Sequence, residues 1–405
     1  MITAYGQLTY CTNIHGGEGW EEHFESLKQN FPKIKNAVSP SRPMGIGLRL
    51  ADLASKVLME ERRLTEFRDW LKAEGGYVFT MNGFPFGAFH DTRVKEQVHA
   101  PDWTTTERLE YTKRLFSILT GLLPDGMDGG ISTSPLGYRH DYICDAAKWQ
   151  SMRRIATAQI AEVAEFLYRI CENQGRELHL DIEPEPDGVL ETGEEFLNWY
   201  IQELVPVATT HFSKTFGMNS EAAERALKRH VRLCYDVCHF ALGYEQHAQI
   251  LDCLNRHGIK IGKFQISAAV KARLPEEETG RNRVGVEFMK FDEPIYLHQV
   301  LALQKSGDVK RYRDLPDAQP FLHDPDTTEW RSHFHVPVFL EDLGLLQSTQ
   351  SDIREVLALH LQNPQTSHIE VETYTWGVLP AALQVPIADS IARELKWVMN
   401  EIEKR

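Results

Sequence analysis

Leu178-His179-Leu180-Asp181-Ile182-Glu183-Pro184-Glu185-Pro186 is a short apolar run that ends in two carboxylates held by prolines. Such a run is a strand buried on both faces, and acids at its C-terminal end stand where α/β barrels place their chemistry. Working outward, seven further apolar or β-branched runs have the same character. They are Leu8 to Asn13, Met44 to Arg49, Tyr77 to Asn82, Gly129 to Thr133, Val231 to Val237, Lys263 to Ser267 and His368 to Thr373, with the quoted strand spanning Glu177 to Glu183. Between them lie segments with apolar residues at spacings of three and four, the helical period. These are Trp20 to Gln29, Ala51 to Ala73 with a break near Arg63, Thr106 to Leu122, Met152 to Asn173, Gly193 to Leu204, Tyr244 to Arg256, Ser351 to Leu361 and Ala381 to Ile402. Eight strands alternating with eight helices, and no G-x-G-x-x-G turn after the first strand, predict an α/β fold of the closed (β/α)8 TIM-barrel kind.

The rhythm breaks between Ala268 and Gln350, where about eighty residues rich in Pro, Gly and charge separate strands seven and eight. A structureless loop of that length is improbable in a compact barrel, so residues 268–350 are read as an elaborated insertion over the active-site mouth within a single domain, 1–405. The stretch from Pro275 to Asp326 is expected to be more mobile than the barrel and to close over a ligand.

Composition narrows the function. The chain has 405 residues, 42% hydrophobic and 25% charged, as expected of a globular protein with a substantial core. Forty-four Lys and Arg against 58 Asp and Glu give a net charge of −14, which disfavours a nucleic-acid partner. The start, Met1-Ile2-Thr3-Ala4-Tyr5-Gly6, has no signal-peptide pattern, and no apolar run is long enough to span a bilayer, so a cytoplasmic location is expected. Six scattered cysteines without a C-x-x-C pair read as buried thiols.

The residues able to carry chemistry cluster at strand ends. The sixth strand closes on Asp236-Val237-Cys238-His239, an acid and an imidazole three residues apart that can share a metal. In His368-Ile369-Glu370-Val371-Glu372 the alternation puts Glu370 and Glu372 on one face, with Glu372 nearer the mouth and Glu370 in a lower layer. Two acids inside a barrel need a counter-charge. His333 and His335 share one face of an extended segment, and Gln265 on the seventh strand offers a weak ligand or an orienting amide. Imidazoles with carboxylates suit zinc, manganese or iron. Asn13, His15 and Glu18 follow the first strand and His90 and Asp91 the third, and Trp376, Phe84 and Phe86 could wall a sugar-like ring.

Glu183, Asp236-x-x-His239, His333-x-His335 and Glu372-Thr373 together resemble the xylose-isomerase-like superfamily of sugar isomerases, epimerases and endonuclease IV. Tyr10-Cys11-Thr12-Asn13-Ile14-His15, Ile182-Glu183-Pro184-Glu185-Pro186 and Glu372-Thr373-Tyr374-Thr375-Trp376 look like the metabolite traffic protein EboE family, along the whole chain. The resemblance implies a divalent ion on Glu183, Asp236 and Glu372, with His239 contacting substrate or a second ion. It departs in carrying His333 where endonuclease IV has an Asp, and Gln265 where a His ligand is usual. The implied function is a metal-dependent isomerase or epimerase of a sugar, sugar phosphate or cyclitol in secondary-metabolite synthesis or traffic, with Glu183 and Glu372 moving the proton. His15, Glu185, His239 and Trp376 would contact substrate, and Arg273, Arg281 and Arg283 could hold a phosphate. A phosphodiester hydrolase and a non-catalytic metabolite carrier are the alternatives.

Overall fold

The computed structural model describes residues 1–90 and 93–404. All eight expected strands form, as Gly6–Tyr10, Met44–Arg49, Gly76–Asn82, Gly129–Thr133, Leu178–Ile182, Val231–Asp236, Ile261–Ile266 and His368–Val371. From the second strand to the eighth each pairs with the next in parallel, and the eighth pairs with the first. The ring closes between the first and second strands through a single parallel bridge, Cys11 to Gly47. The chain is therefore an α/β barrel with its ring of strands enclosed by helices.

Capping residues account for where the helices begin and end. The helix expected from Met152 starts at Ala146, because the Asp145 side chain accepts hydrogen bonds from the amides of Ala147 and Lys148, and it stops at Gly175, which takes the left-handed conformation at φ 67°. The long 51–73 segment is two helices, Asp52–Leu58 and Glu61–Glu74, parted at Met59 and Glu60 rather than near Arg63. The helix from Gly193 continues through a π turn at Tyr200–Leu204 into Val205–Phe216, the wider turn falling just ahead of Pro206, whose missing N–H and ring disfavour regular α geometry there. A further helix, Ser220–His230, is capped by Asn219. The last helix, Ile387–Glu403, begins later than the expected Ala381.

The insertion is mostly regular structure. Six antiparallel strands form one sheet in the order 309–312, 300–304, 327–332, 270–273, 346–348, 342–343. Helix Glu278–Phe288 packs on it through Phe288 against Trp330. The strand Thr327–Ser332 runs straight into His333, so the sheet aims the His333 and His335 side chains at the barrel. Among the described residues no helix is long and apolar enough to cross a membrane.

Candidate active site at the barrel mouth

Glu183, Asp236 and Glu372 come from the ends of the fifth, sixth and eighth strands, and one carboxylate oxygen from each lies within 4.8 Å of the others. All three side chains are buried. Burial, then the charges of Glu372, Asp236 and Glu185, push Glu183 well above the ordinary carboxylate range. Burial and the charges of Asp236 and Glu370 do the same to Glu372. Burial also works to raise Asp236, but the imidazoles of His239 and His335 and the hydrogen bonds from Ser267 and the His239 amide outweigh it and hold Asp236 low.

The surroundings of these acids differ. Glu372 is clamped by three amides: Asn13 Nδ2 and Asn82 Nδ2 donate to its Oε1 at 2.7 and 2.9 Å, and Gln265 Nε2 donates to its Oε2 at 2.7 Å. Asp236 Oδ1 accepts from Ser267 Oγ at 2.6 Å. Glu183 Oε2 and Asp236 Oδ2 are buried with no hydrogen-bond partner among the described residues. One layer down, Glu370 pairs with Lys263 at 2.5 Å, which supplies the counter-charge its burial requires.

Three imidazoles adjoin the acids. His239 Nδ1 donates to the Pro184 carbonyl at 2.9 Å and His335 Nδ1 to the Glu372 carbonyl at 3.1 Å, so in each ring Nε2 is the nitrogen that faces inward. His333 Nδ1 meets Gln299 Oε1 at 2.9 Å, which leaves its Nε2 only 3.2 Å from His239 Nε2. Burial, followed by the neighbouring imidazoles, holds His333 well below the ordinary histidine range. Burial lowers His335 to about 4. Rings whose outer nitrogens are fixed by carbonyl oxygens have the form of histidines oriented as metal ligands. Asp236, His239 and His335 form one group within ligand distance, and Glu185, His239 and His333 another.

The cavity over these residues holds about 600 Å3 of space including its open mouth. Its polar floor faces a wall formed by Phe84, Phe89, Val98, Tyr296 and Tyr374. Phe84 is thus in the expected place, whereas Phe86 packs against Tyr111. Glu185 lines the cavity and bonds His99 at 2.9 Å.

Other candidates lie elsewhere. His15 is buried behind the cavity against the Tyr10 hydroxyl at 3.1 Å, and burial lowers it to about 3. Trp376 packs on the hydrophobic core rather than on the cavity. Gln265 spends its amide nitrogen on Glu372 and its oxygen on Cys234. Arg281 is buried, and its guanidinium donates to the carbonyls of Pro275, Leu322, Asp324 and Thr327, locking the inserted helix to its sheet. Arg283 is exposed and borders a surface depression with Val286 and Leu345. Arg273 is an exposed strand residue of the insertion. None of these three arginines lines the cavity. Asp91 lies outside the described residues. Sequence reasoning missed Asn82, His99, Gln299 and Ser267; a polar residue ending the third strand was the one available signal, for Asn82.

Neither a protein-family model nor a curated protein sequence matches the chain. Solved structures do. A xylose isomerase-like TIM barrel protein from Mycobacterium smegmatis, crystallised in complex with magnesium, is 10% identical, covers 100% of this chain and 99% of its own, and superposes with a TM-score of 0.51. A xylose isomerase domain protein from Planctomyces limnophilus is 11% identical, with 99% and 98% covered and a TM-score of 0.50. The fold is that of the xylose isomerase-like TIM barrels.

Proposed function

We propose that the chain is a metal-dependent isomerase or epimerase acting on an unphosphorylated keto-sugar or keto-cyclitol. The observation that carries this reading is the convergence of Glu183, Asp236 and Glu372. Three buried carboxylates with unpartnered oxygens at Glu183 and Asp236 form a site that a divalent cation neutralises. Zinc, manganese or iron suits this mixture of oxygen and imidazole donors. When bound, the ion would polarise a substrate carbonyl and acidify the adjacent C–H.

The chain's own residues supply the remaining chemistry. With the cation holding one of its oxygens, Glu183 would accept the carbon-bound proton on the other. Glu372, held by three amides, keeps its position while the substrate turns over. The two carboxylates are too close for a ring to lie between them, so the ring rests on the cavity side, against Phe84 and Tyr374. Lys95 is the one Lys or Arg in the cavity wall among the described residues, and it is paired with Asp314, which favours a substrate without phosphate. The finer assignment to the EboE family, and with it a role in secondary-metabolite synthesis or traffic, rests on the sequence motifs.

The test is metal-dependent entry of deuterium at carbon when keto-sugars and keto-cyclitols are incubated in deuterated water. Glu183→Gln should lose it by 100-fold or more while the substrate still binds. Phosphodiester cleavage without carbon exchange would shift the assignment to a hydrolase, the reading that the His239, His333 and His335 group favours. Tight metabolite binding with neither activity would make the protein a carrier.

A further inference from the structure

A second constellation lies at the opposite end of the barrel. The fifth and eighth strands each carry three inward polar residues at alternate positions: His179, Asp181 and Glu183 on one, His368, Glu370 and Glu372 on the other. The upper acids belong to the mouth and Glu370 pairs with Lys263, which leaves the two histidines at the floor. Asp128, just before the fourth strand, presents its carboxylate to both. Its Oδ2 is 3.6 Å from His179 Nε2, and its Oδ1 is 3.4 Å from His368 Nε2. Both imidazoles are fully buried, and neither nitrogen of His368, nor Nε2 of His179, has a hydrogen-bond partner among the described residues.

We propose that Asp128, His179 and His368 bind one transition-type divalent cation, zinc by preference, as a structural site that ties the floor of the barrel together. One ligand atom from each of the three residues lies within 4.8 Å of the others, close enough to draw in to the roughly 3.3–3.4 Å separation that bonds of about 2.0–2.1 Å in a tetrahedron impose. The orientation of His179 fits as well. Its Nδ1 lies 2.6 Å from Asp181 Oδ1, and with that carboxylate as acceptor Nδ1 is the donor. That leaves Nε2 facing Asp128, a contact that either a proton or a metal ion can bridge, and a carboxylate behind a histidine is the usual support of a metal ligand.

The backbone makes room for this arrangement. A Cβ on Gly130 would sit 2.3 Å from His179 Cε1, and one on Gly262 would sit 1.8 Å from Asp181 Oδ1. Arg232 Nη1 approaches Asp128 Oδ2 at 3.5 Å, but its Nη2 is engaged by Glu177 at 2.9 Å. Asp128 is 28% exposed and borders a surface depression with Asp125 and Arg176, which provides an entry path and space for a water as fourth ligand.

The experiment uses the full chain in two arms. Crystals of the wild-type protein soaked in zinc should give an anomalous peak at the zinc edge between Asp128, His179 and His368. In solution, the Asp236→Asn/His333→Gln variant, in which every three-residue ligand group at the mouth has lost a member, should still hold one equivalent of zinc against a competing chelator. Adding His368→Gln should weaken that equivalent at least 100-fold. Wild-type crystals with zinc at the mouth and none at the floor would overturn the proposal, whether or not the variants fold. So would unchanged zinc affinity after His368→Gln.

Discussion

Glu183 and Glu372 are both buried and both raised in pKa, yet replacing each by glutamine should move stability in opposite directions. Glu372 receives donors on both oxygens, two from Asn13 and Asn82 and one from Gln265. A glutamine there must turn its NH2 toward at least one of those donors in either orientation. One buried donor left facing another costs about 1–3 kcal/mol. Glu183 Oε2 has no such partner, and its carboxylate is opposed by two others at ligand distance. Glu183→Gln removes a carboxyl that the folded protein must either protonate or bear as a further buried like charge, a relief of about 1–2 kcal/mol on the scale of desolvated polar groups. Urea unfolding at pH 7.5 in the presence of a chelator should therefore place Glu183→Gln above wild type and Glu372→Gln below it. With zinc at 100 times its dissociation constant, wild type should gain about 2.7 kcal/mol and both variants less. Equal destabilisation of the two variants without metal would refute the assignment of a clamped and an unclamped acid.

Lys263→Met strands Glu370 as an unpaired buried charge and should cost about 3–5 kcal/mol, most of it recovered in Lys263→Met/Glu370→Leu; equal stability of the single and double variants would count against the pairing. Glu394 is buried, accepts from Thr373 Oγ at 2.6 Å and from the Val338 amide at 3.1 Å, and has its pKa raised by burial to about 7. The folded state thus binds a proton that the unfolded chain has released, so its contribution falls as pH rises from about 4.5 to about 7, by up to about 3 kcal/mol. Glu394→Gln should flatten that decline between pH 5 and pH 8, and an unchanged slope in urea midpoints would exclude it. Tyr296, Leu297 and Gln299 line the cavity from the inserted segment, so hydrogen exchange at 296–299 should slow when substrate and metal bind; unchanged exchange would remove the insertion from ligand closure.

The barrel was legible because both of its periods are local. Every expected strand formed, since a buried parallel strand needs only a short apolar run, and the acids at the ends of strands five, six and eight follow from chain direction alone. The insertion was harder to read. Its strands are four to six residues long or shorter, and 309–312 is Val-Lys-Arg-Tyr, with the polar residues of an exposed edge. Arg281 shows the limit of reading charge from type: an arginine in a charged stretch looks available to a phosphate, and only the fold reveals four carbonyls around it. Asn82 meets Glu372 across 290 residues of sequence, a pairing that no local pattern encodes.

Alternation along a strand reaches further than its most visible acid. Once Glu372 is assigned to the inner face, Glu370 and His368 must share that face, and the same rule carries Glu183 back to Asp181 and His179. The sequence reading followed this rule only to Glu370. Extended one more step, it places a histidine at the foot of each of two strands. Two imidazoles in a closed barrel floor need partners as much as the acids above them do. Glu370 takes its partner from Lys263 and Asp181 from His179, so the demand passes down the barrel to Asp128, whose carboxylate meets both rings.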